Sequence, residues 1–472
     1  MSKLLKNTAY YTIGNFTSKA VNFLLLPLYT SYLTPDEYGI VNSMDVFSNI
    51  LLIFFTLGLE RAIYRLYYDY KTEKGQKDFL GTVSISIAVI SLLVVGILFL
   101  FNSPIGKIYK SIDFHPYYTY AILTALFMTY ELVPKISFQV KEQANKFLVL
   151  SLVILAFRVL SVIWQVVYLK AGAAGMLKGA MIGNAATLIF IIPLTLKQIN
   201  LRCDFQILKS TLKYCLPFIP MIVSSWVINM SDRIFIERYF STYDVGIYSL
   251  GYKIGQLVQF LSVSILMAYN PYFYKLANST DQVTAKKKLY KVNNASIAFL
   301  MFIGYLVALF SKDIIILFFN EKYHETYKII PIIVLGYFFI QLISLQNLSF
   351  YQEKKTITIM RINIAAAIIN ISLNFLLISK YSFYGAAIST ALTQFLFFII
   401  IYYYSRRYYF IPYNWKLIVP LFTFFILTTL LAINLLPVCF DILFLKICII
   451  LFILSVLIIK NKKLLLNTLF KK

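Results

Sequence analysis

Several ionised side chains sit where the sequence is otherwise apolar for many residues: Lys19, Asp45, Glu131, Arg158, the Asp232–Arg233 pair and Lys253. A charge at a bilayer centre costs roughly 3 kcal/mol on insertion scales, so each such group calls for a partner or a ligand. The chemistry open to them is narrow. Arg holds anionic groups through a planar fork and Lys through a point charge. A carboxylate pairs with those cations or carries a proton or sodium ion. Cys203, Cys215, Cys439 and Cys448 form no CxxC pair, and His115 and His324 lie far apart. A disulfide framework or a metal site is therefore not expected.

The elements that carry these residues follow from composition. The chain has 472 residues, 60% hydrophobic and 14% charged. A soluble domain has about 25% charged residues. The apolar residues fall into runs of the roughly 20 that one membrane helix needs. Helices are the open-ended way to satisfy backbone groups in lipid. The first apolar run is long and interrupted by Lys19, so it reads as a retained helix rather than a signal peptide. The expected fold is all-α and integral to the membrane. Fourteen spans are predicted, at 10–31, 38–59, 79–101, 117–138, 147–169, 173–195, 211–231, 245–271, 292–311, 327–349, 359–379, 384–404, 415–436 and 440–459.

The net charge of +24 would suit a nucleic-acid binder, but the charges sit in the loops. With the N-terminus inside, 30 of the 44 Lys and Arg lie on the inner side and 11 on the outer. Positive-inside topology thus puts both termini in the cytoplasm and removes the case for nucleic acid. No loop exceeds about 20 residues, which leaves no room for a soluble catalytic or nucleotide-binding domain. The nearest phosphate-loop match, Gly246 to Lys253, has Tyr252 where that motif needs lysine.

An internal repeat organises the spans. "YLTPDEYGIVNS" from Tyr32 matches "YFSTYDVGIYSL" from Tyr239 at an offset of 207, which pairs Glu37 with Asp244 and Gly39 with Gly246. The same offset pairs Ser18 with Ser225 and Asn22 with Asn229. "YLKAGAAGMLKGA" from Tyr168 matches "ISKYSFYGAAIST" from Ile378 at 210. The expectation is two parallel-repeat six-helix lobes, residues 1–200 and 201–410, with two further helices and a basic tail in 411–472. Repeat-built transporters bind at the lobe interface and rock about it.

"LPLYTSYLTPDEYGI", "LGLERAIYRLYYDY", "LPFIPMIVSSWVINMSDRIFIERYFSTYDVGIYSLGYKIG" and "INIAAAIINISLNFLLISKYSFYGAAIST" resemble segments of bacterial polysaccharide flippases of the Wzx type. The resemblance covers most of residues 1–410 and implies the multidrug/oligosaccharidyl-lipid/polysaccharide transporter superfamily. It implies a flippase, not an enzyme. The cargo would be an undecaprenyl-pyrophosphate-linked oligosaccharide, such as an O-antigen or capsule repeat unit. The setting would be a bacterial cytoplasmic (inner) membrane. Its partners would be that lipid-linked oligosaccharide, membrane lipids, and polysaccharide polymerase and chain-length proteins. No cofactor is expected beyond coupling to an H+ or Na+ gradient, for which Asp45 and Glu131 are candidates.

In that family the repeat-equivalent helices 1, 2, 7 and 8 line a central cavity. The candidate substrate-binding residues are Lys19, Asn22, Asp45, Arg158, Asn229, Arg233 and Lys253. Cations would face the pyrophosphate, while Ser18, Asn22, Ser225 and Asn229 would face sugar hydroxyls. Arg61 and Arg65, at an inner helix end, would meet the headgroup on entry, although positive-inside topology alone accounts for them. Blander readings stand beside these. Lys19 and Asp45 would form a structural bridge, and Asp232–Arg233 would be a solvated cap. Pro217 and Pro220 in "CLPFIP" mark either a gate or a helix start. Two rival functions remain. A multidrug exporter of cations would want a net acidic cavity. A polytopic polymerase or glycosyltransferase would want a large outside loop with clustered carboxylates and arginines, which 102–116 and 312–326 lack.

Overall fold

The computed structural model describes residues 3–435, and every regular element in them is helical. The predicted span 440–459, with Cys439, Cys448 and the basic tail, lies outside the described residues. In chain order the first helices are α1 (Lys3–Leu24), α2 (Leu26–Tyr32), α3 (Pro35–Thr56), α4 (Leu59–Leu66), α5 (Glu73–Leu100), α6 (Asn102–Gly106), α7 (Thr119–Tyr130), α8 (Leu132–Val140), α9 (Ala144–Ile163) and α10 (Gly172–Leu196). There follow α11 (Phe205–Cys215), α12 (Ile219–Met230), α13 (Asp232–Tyr239), α14 (Thr242–Gly255), α15 (Leu257–Ala277), α16 (Gln282–Leu309), α17 (Ser311–Phe318), α18 (Ile330–Gln352), α19 (Thr356–Ser405) and α20 (Trp415–Leu435).

Ten helical stretches among the described residues are long and apolar enough to cross a bilayer. The spans predicted to start at 38, 79, 117, 147, 173, 211, 245, 292 and 327 each fall on one of them. Those predicted at 359–379 and 384–404 share α19, which is broken at Ser382 (φ 48°, ψ −134°). The span predicted at 10–31 falls on α1 and α2, and the one at 415–436 falls on α20. Pro217 lies in a 3-10 turn, Leu216–Phe218, and Pro220 in the first turn of α12. Proline is at home there because the missing N–H is already without a helical acceptor. The helix-start reading therefore describes both prolines. Residues 246–253 lie inside α14, so they form no loop that could cradle a phosphate.

The helices form two compact units. One comprises residues 3–253 with Thr356–Phe397, and the other Ile254–Lys355 with 398–435. In the first, α3, α5, α7 and α10 share a core built on Met44, Phe47, Phe55, Tyr118, Ile122 and Leu177. Lipid supplies no hydrophobic drive between helices, so close backbone approach at small residues matters more here than in a soluble core. In the second unit Tyr413 Oη donates to Leu342 O (2.9 Å) and Gln346 Nε2 to Ile411 O (3.1 Å). Those bonds tie the segment after α19 to α18, and Ser262 bonds to Gln341 across α15 and α18.

The repeat is visible at residue level within the first unit. Thr34 and Glu37 form a capping box at the start of α3. Their repeat counterparts, Ser241 and Asp244, repeat two of those bonds at the start of α14: the Ser241 hydroxyl donates to the Asp244 carboxylate and accepts from the Asp244 N–H. The two helix starts then cross reciprocally. A Cβ on Gly39 would lie 1.8 Å from the Thr242 carbonyl oxygen, and one on Gly246 would lie 2.0 Å from that of Pro35. Thr242 Oγ1 donates to Asp36 Oδ1 at 2.9 Å across the crossing. Only glycine permits this approach of backbones.

Candidate functional site

The first unit encloses a cavity of about 360 Å³ bounded by α1, α2, α3, α7, α9, α10 and Lys253 of α14. One wall is α3, where Val41, Asp45, Ser48, Asn49 and Leu52 recur at helical spacing and face the space together. Asp45 and Asn49 are exposed to it. Asn49 Nδ2 donates to the Asp45 carbonyl at 2.7 Å, but the Asp45 carboxylate has no ion pair among the described residues. The Lys19–Asp45 bridge is therefore not formed.

Arg158 enters from α9 and is held in place. Its Nε and Nη2 donate to Asn184 Oδ1 at 3.0 and 2.6 Å. Glu131, buried at the end of α7, stands 3.8 Å from Nη2 and 3.3 Å from Lys135 Nζ. Gly183 makes this arrangement possible, since a Cβ there would meet the Arg158 Cα at 2.6 Å. α10 can thus lie against α9 and bring Asn184 to the guanidinium. The Arg158 side chain remains 28% exposed, on the cavity side. Lys253 Nζ sits 5.0 Å from the centre of the Tyr38 ring, which also lines the space. A ring face in that position favours the ammonium.

The cavity therefore gathers four of the seven predicted binding residues: Asn22, Asp45, Arg158 and Lys253. Lys19 is exposed on α1 but is not part of the lining. Asn229 and Arg233 do not line it either. Arg233 is buried, with Nη1 donating to Asp232 Oδ1 and to the Asn229 carbonyl, both at 2.7 Å. Its guanidinium lies 5.0 and 4.3 Å from the ring centres of Tyr248 and Tyr252, and Tyr248 Oη donates to Asp232. The solvated-cap reading of Asp232–Arg233 is thus overturned, because both side chains are enclosed by α14. Ser18 Oγ bonds to Gly14 O at 3.4 Å, and Asn229 Nδ2 to Ser225 O at 2.7 Å, so these polar groups serve their own helices. Arg61 and Arg65 are exposed on α4, beside Glu60 at 3.6 Å and Asp69 at 2.6 Å. Neither borders the cavity.

Sequence reasoning missed Asn184, Asn49, Ser48 and Tyr38. An amide or hydroxyl in an apolar run is an ordinary event, so nothing local marks these residues. It also missed a buried polar chain beside Asp232, in which Ser231, Asn370, Asn374, Ser389 and Thr393 are mutually bonded at 2.6–3.4 Å. Among the described residues no cluster of three or more His, Cys, Asp or Glu could hold a metal.

The model of a family described as "Polysaccharide biosynthesis protein" matches residues 31–328. Lsg locus putative protein 1 of Haemophilus influenzae is 26% identical over 58% of this chain. That match spans 66% of the relative, just under two thirds of its length. Capsular polysaccharide biosynthesis protein CapF of Staphylococcus aureus is 22% identical over 83% of this chain and 97% of its own. Among solved structures, the inward closed conformation of the lipid II flippase MurJ superposes with a TM-score of 0.74. The match is 17% identical and covers 96% of this chain and 99% of that one. An inward-facing multidrug resistance MATE family transporter of the MOP superfamily gives 0.57 at 14% identity, over 84% and 94%. At these identities the structural likeness establishes the fold.

Proposed function

We propose that this chain, which belongs to the polysaccharide biosynthesis protein family, carries an undecaprenyl-pyrophosphate-linked oligosaccharide from the cytoplasmic to the periplasmic leaflet of a bacterial inner membrane. It is a multi-pass membrane transporter of the flippase kind and not an enzyme. The observation that carries the substrate assignment is the fixed Arg158 guanidinium facing a half-enclosed cavity with Lys253 and one carboxylate, Asp45.

A pyrophosphate presents adjacent anionic oxygens. Arg158, already oriented by Asn184 and Glu131, offers its fork to them at little further ordering cost. Lys253 supplies a second point charge. Asn22, Asn49 and Ser48 offer amide and hydroxyl groups to the first sugar, and Tyr29 and Tyr38 offer ring faces. Two cations against one carboxylate disfavour a cationic drug as cargo. The cavity has the size of a small-molecule site. It takes the headgroup and first sugar while the prenyl chain stays in lipid.

Transport follows by alternating access of the lobes 1–200 and 201–410, with both termini cytoplasmic. On this reading the α3–α14 crossing is the periplasmic gate. An H+ or Na+ gradient supplies the energy, and Asp45 is the titratable group within reach of the cargo. The translocated repeat unit passes to polymerase and chain-length proteins. The test is complementation of a strain lacking the native protein. Arg158→Ala and Lys253→Ala, present in the membrane at normal levels, should abolish surface glycan and leave lipid-linked precursor to accumulate. Normal glycan with both variants would refute the cavity as the transport site.

A further inference from the structure

A second concavity in the first unit lies apart from the polar cavity. It is a crevice of about 260 Å³ between α5, the α7–α8 junction, the end of α10 and the loop after it. Ile85, Ile87, Val133, Ile192, Leu196 and Leu201 give it carbon walls. The hydroxyls along it are turned away. Ser84 bonds to Leu80 O at 2.7 Å, Thr129 to Ala125 O at 2.8 Å and Thr195 to Ile191 O at 2.8 Å. Along α5 the lining runs from Ser84 to Ala88, roughly 6 Å at 1.5 Å per residue. That is under half of one leaflet's share of a hydrocarbon core roughly 30 Å thick.

The segment 196–202, which supplies the lining residues Leu196, Ile199 and Leu201, also carries Lys197 and Arg202, and both are exposed. The carboxylates nearby bond to other groups. Glu73 pairs with Lys77 at 2.8 Å, and Asp78 accepts from Asn200 Nδ2 at 2.7 Å. Asp204 caps α11 through the Gln206 and Ile207 N–H groups. Among the described residues, neither Lys197 nor Arg202 has a carboxylate partner. An apolar slot that takes part of one acyl chain, bordered by a segment whose two exposed cations make no ion pair among the described residues, complements one molecular class.

We propose that this crevice binds one acyl chain of an anionic phospholipid, with the lipid phosphate between Lys197 and Arg202. The purified full-length protein would be titrated with phosphatidylglycerol and with phosphatidylcholine of the same chains, and bound lipid read by native mass spectrometry. Phosphatidylglycerol should bind preferentially. The surface variant K197Q/R202Q should weaken its binding roughly 30-fold, to the level of phosphatidylcholine. Ala88→Phe, which fills the slot and keeps both charges, should weaken both lipids, with thermal melting confirming that it folds. Equal binding of the two lipids by the wild type would overturn the site, as would an unaffected charge variant. Full phosphatidylglycerol binding by a folded Ala88→Phe would reduce it to a headgroup contact and overturn the crevice. Displacement by polyprenyl phosphate at equal concentration would make the carrier lipid the occupant and equally refute the proposal.

Discussion

The reciprocal crossing of α3 and α14 makes a quantitative prediction. A Cβ on Gly39 would stand 1.8 Å from the Thr242 carbonyl oxygen, where ordinary contact begins at 3.4 Å, so Gly39→Ala must widen the crossing by the difference. The repeat-equivalent Gly246→Ala starts from 2.0 Å and must widen it by nearly as much. The obstacle in each case is backbone, which cannot swing aside as a side chain can. Overpacking of this kind costs about 1–3 kcal/mol. At about 2 kcal/mol the closed crossing loses roughly 30-fold in population relative to an open one. Because either substitution separates the same pair of helices, the double variant should cost less than the sum. The assay is the labelling rate of Thr242→Cys, in a background without the native cysteines, by a membrane-impermeant maleimide on intact cells. Each glycine variant should speed labelling to a similar degree, and the double variant little further. Unchanged labelling, or full additivity, would refute the crossing as a closed gate.

Three further outcomes follow from the same geometry. Arg233→Met leaves Asp232 buried without its cation and should destabilise the protein by about 3–5 kcal/mol, read as a lowered melting temperature in detergent. The double variant Asp232→Asn/Arg233→Met should recover part of that loss. Asn184→Ala frees the Arg158 guanidinium from its anchor, and should weaken cargo binding about tenfold at unchanged membrane levels, read by lipid-linked oligosaccharide titration. Lys19→Ala, outside the cavity lining, should leave surface glycan near normal when assayed beside Arg158→Ala.

Hydropathy runs located the helices because lipid imposes one length and one backbone solution on every span. Asp45, Arg158 and Lys253 were legible for the complementary reason, since an intramembrane charge is too costly to be incidental. Depth in the membrane is readable from sequence, but facing is not. Lys19 shares α1 with the cavity residue Asn22 and still misses the cavity, and Arg233 misses it too. Arg233 misses it because Tyr248 and Tyr252, brought back by α14, enclose it. Asn184 was silent for want of any cost signal. Its role depends on Gly183 admitting the backbone of α9 at Arg158, a contact between helices that no local pattern announces. The repeat gave more than its weak identities promised. The offset of 207 that pairs Gly39 with Gly246 also pairs Pro35 with Thr242, the residues each glycine touches.

The central claim is that Arg158 and Lys253 hold the anionic headgroup of a lipid-linked saccharide during its passage across the bilayer. The most direct measurement is leaflet-to-leaflet movement of a polyprenyl-pyrophosphate oligosaccharide in proteoliposomes containing the purified chain. The wild type should move it, and Arg158→Ala and Lys253→Ala should each slow the movement at least tenfold while remaining folded and inserted. Movement at the wild-type rate by both variants would contradict the account.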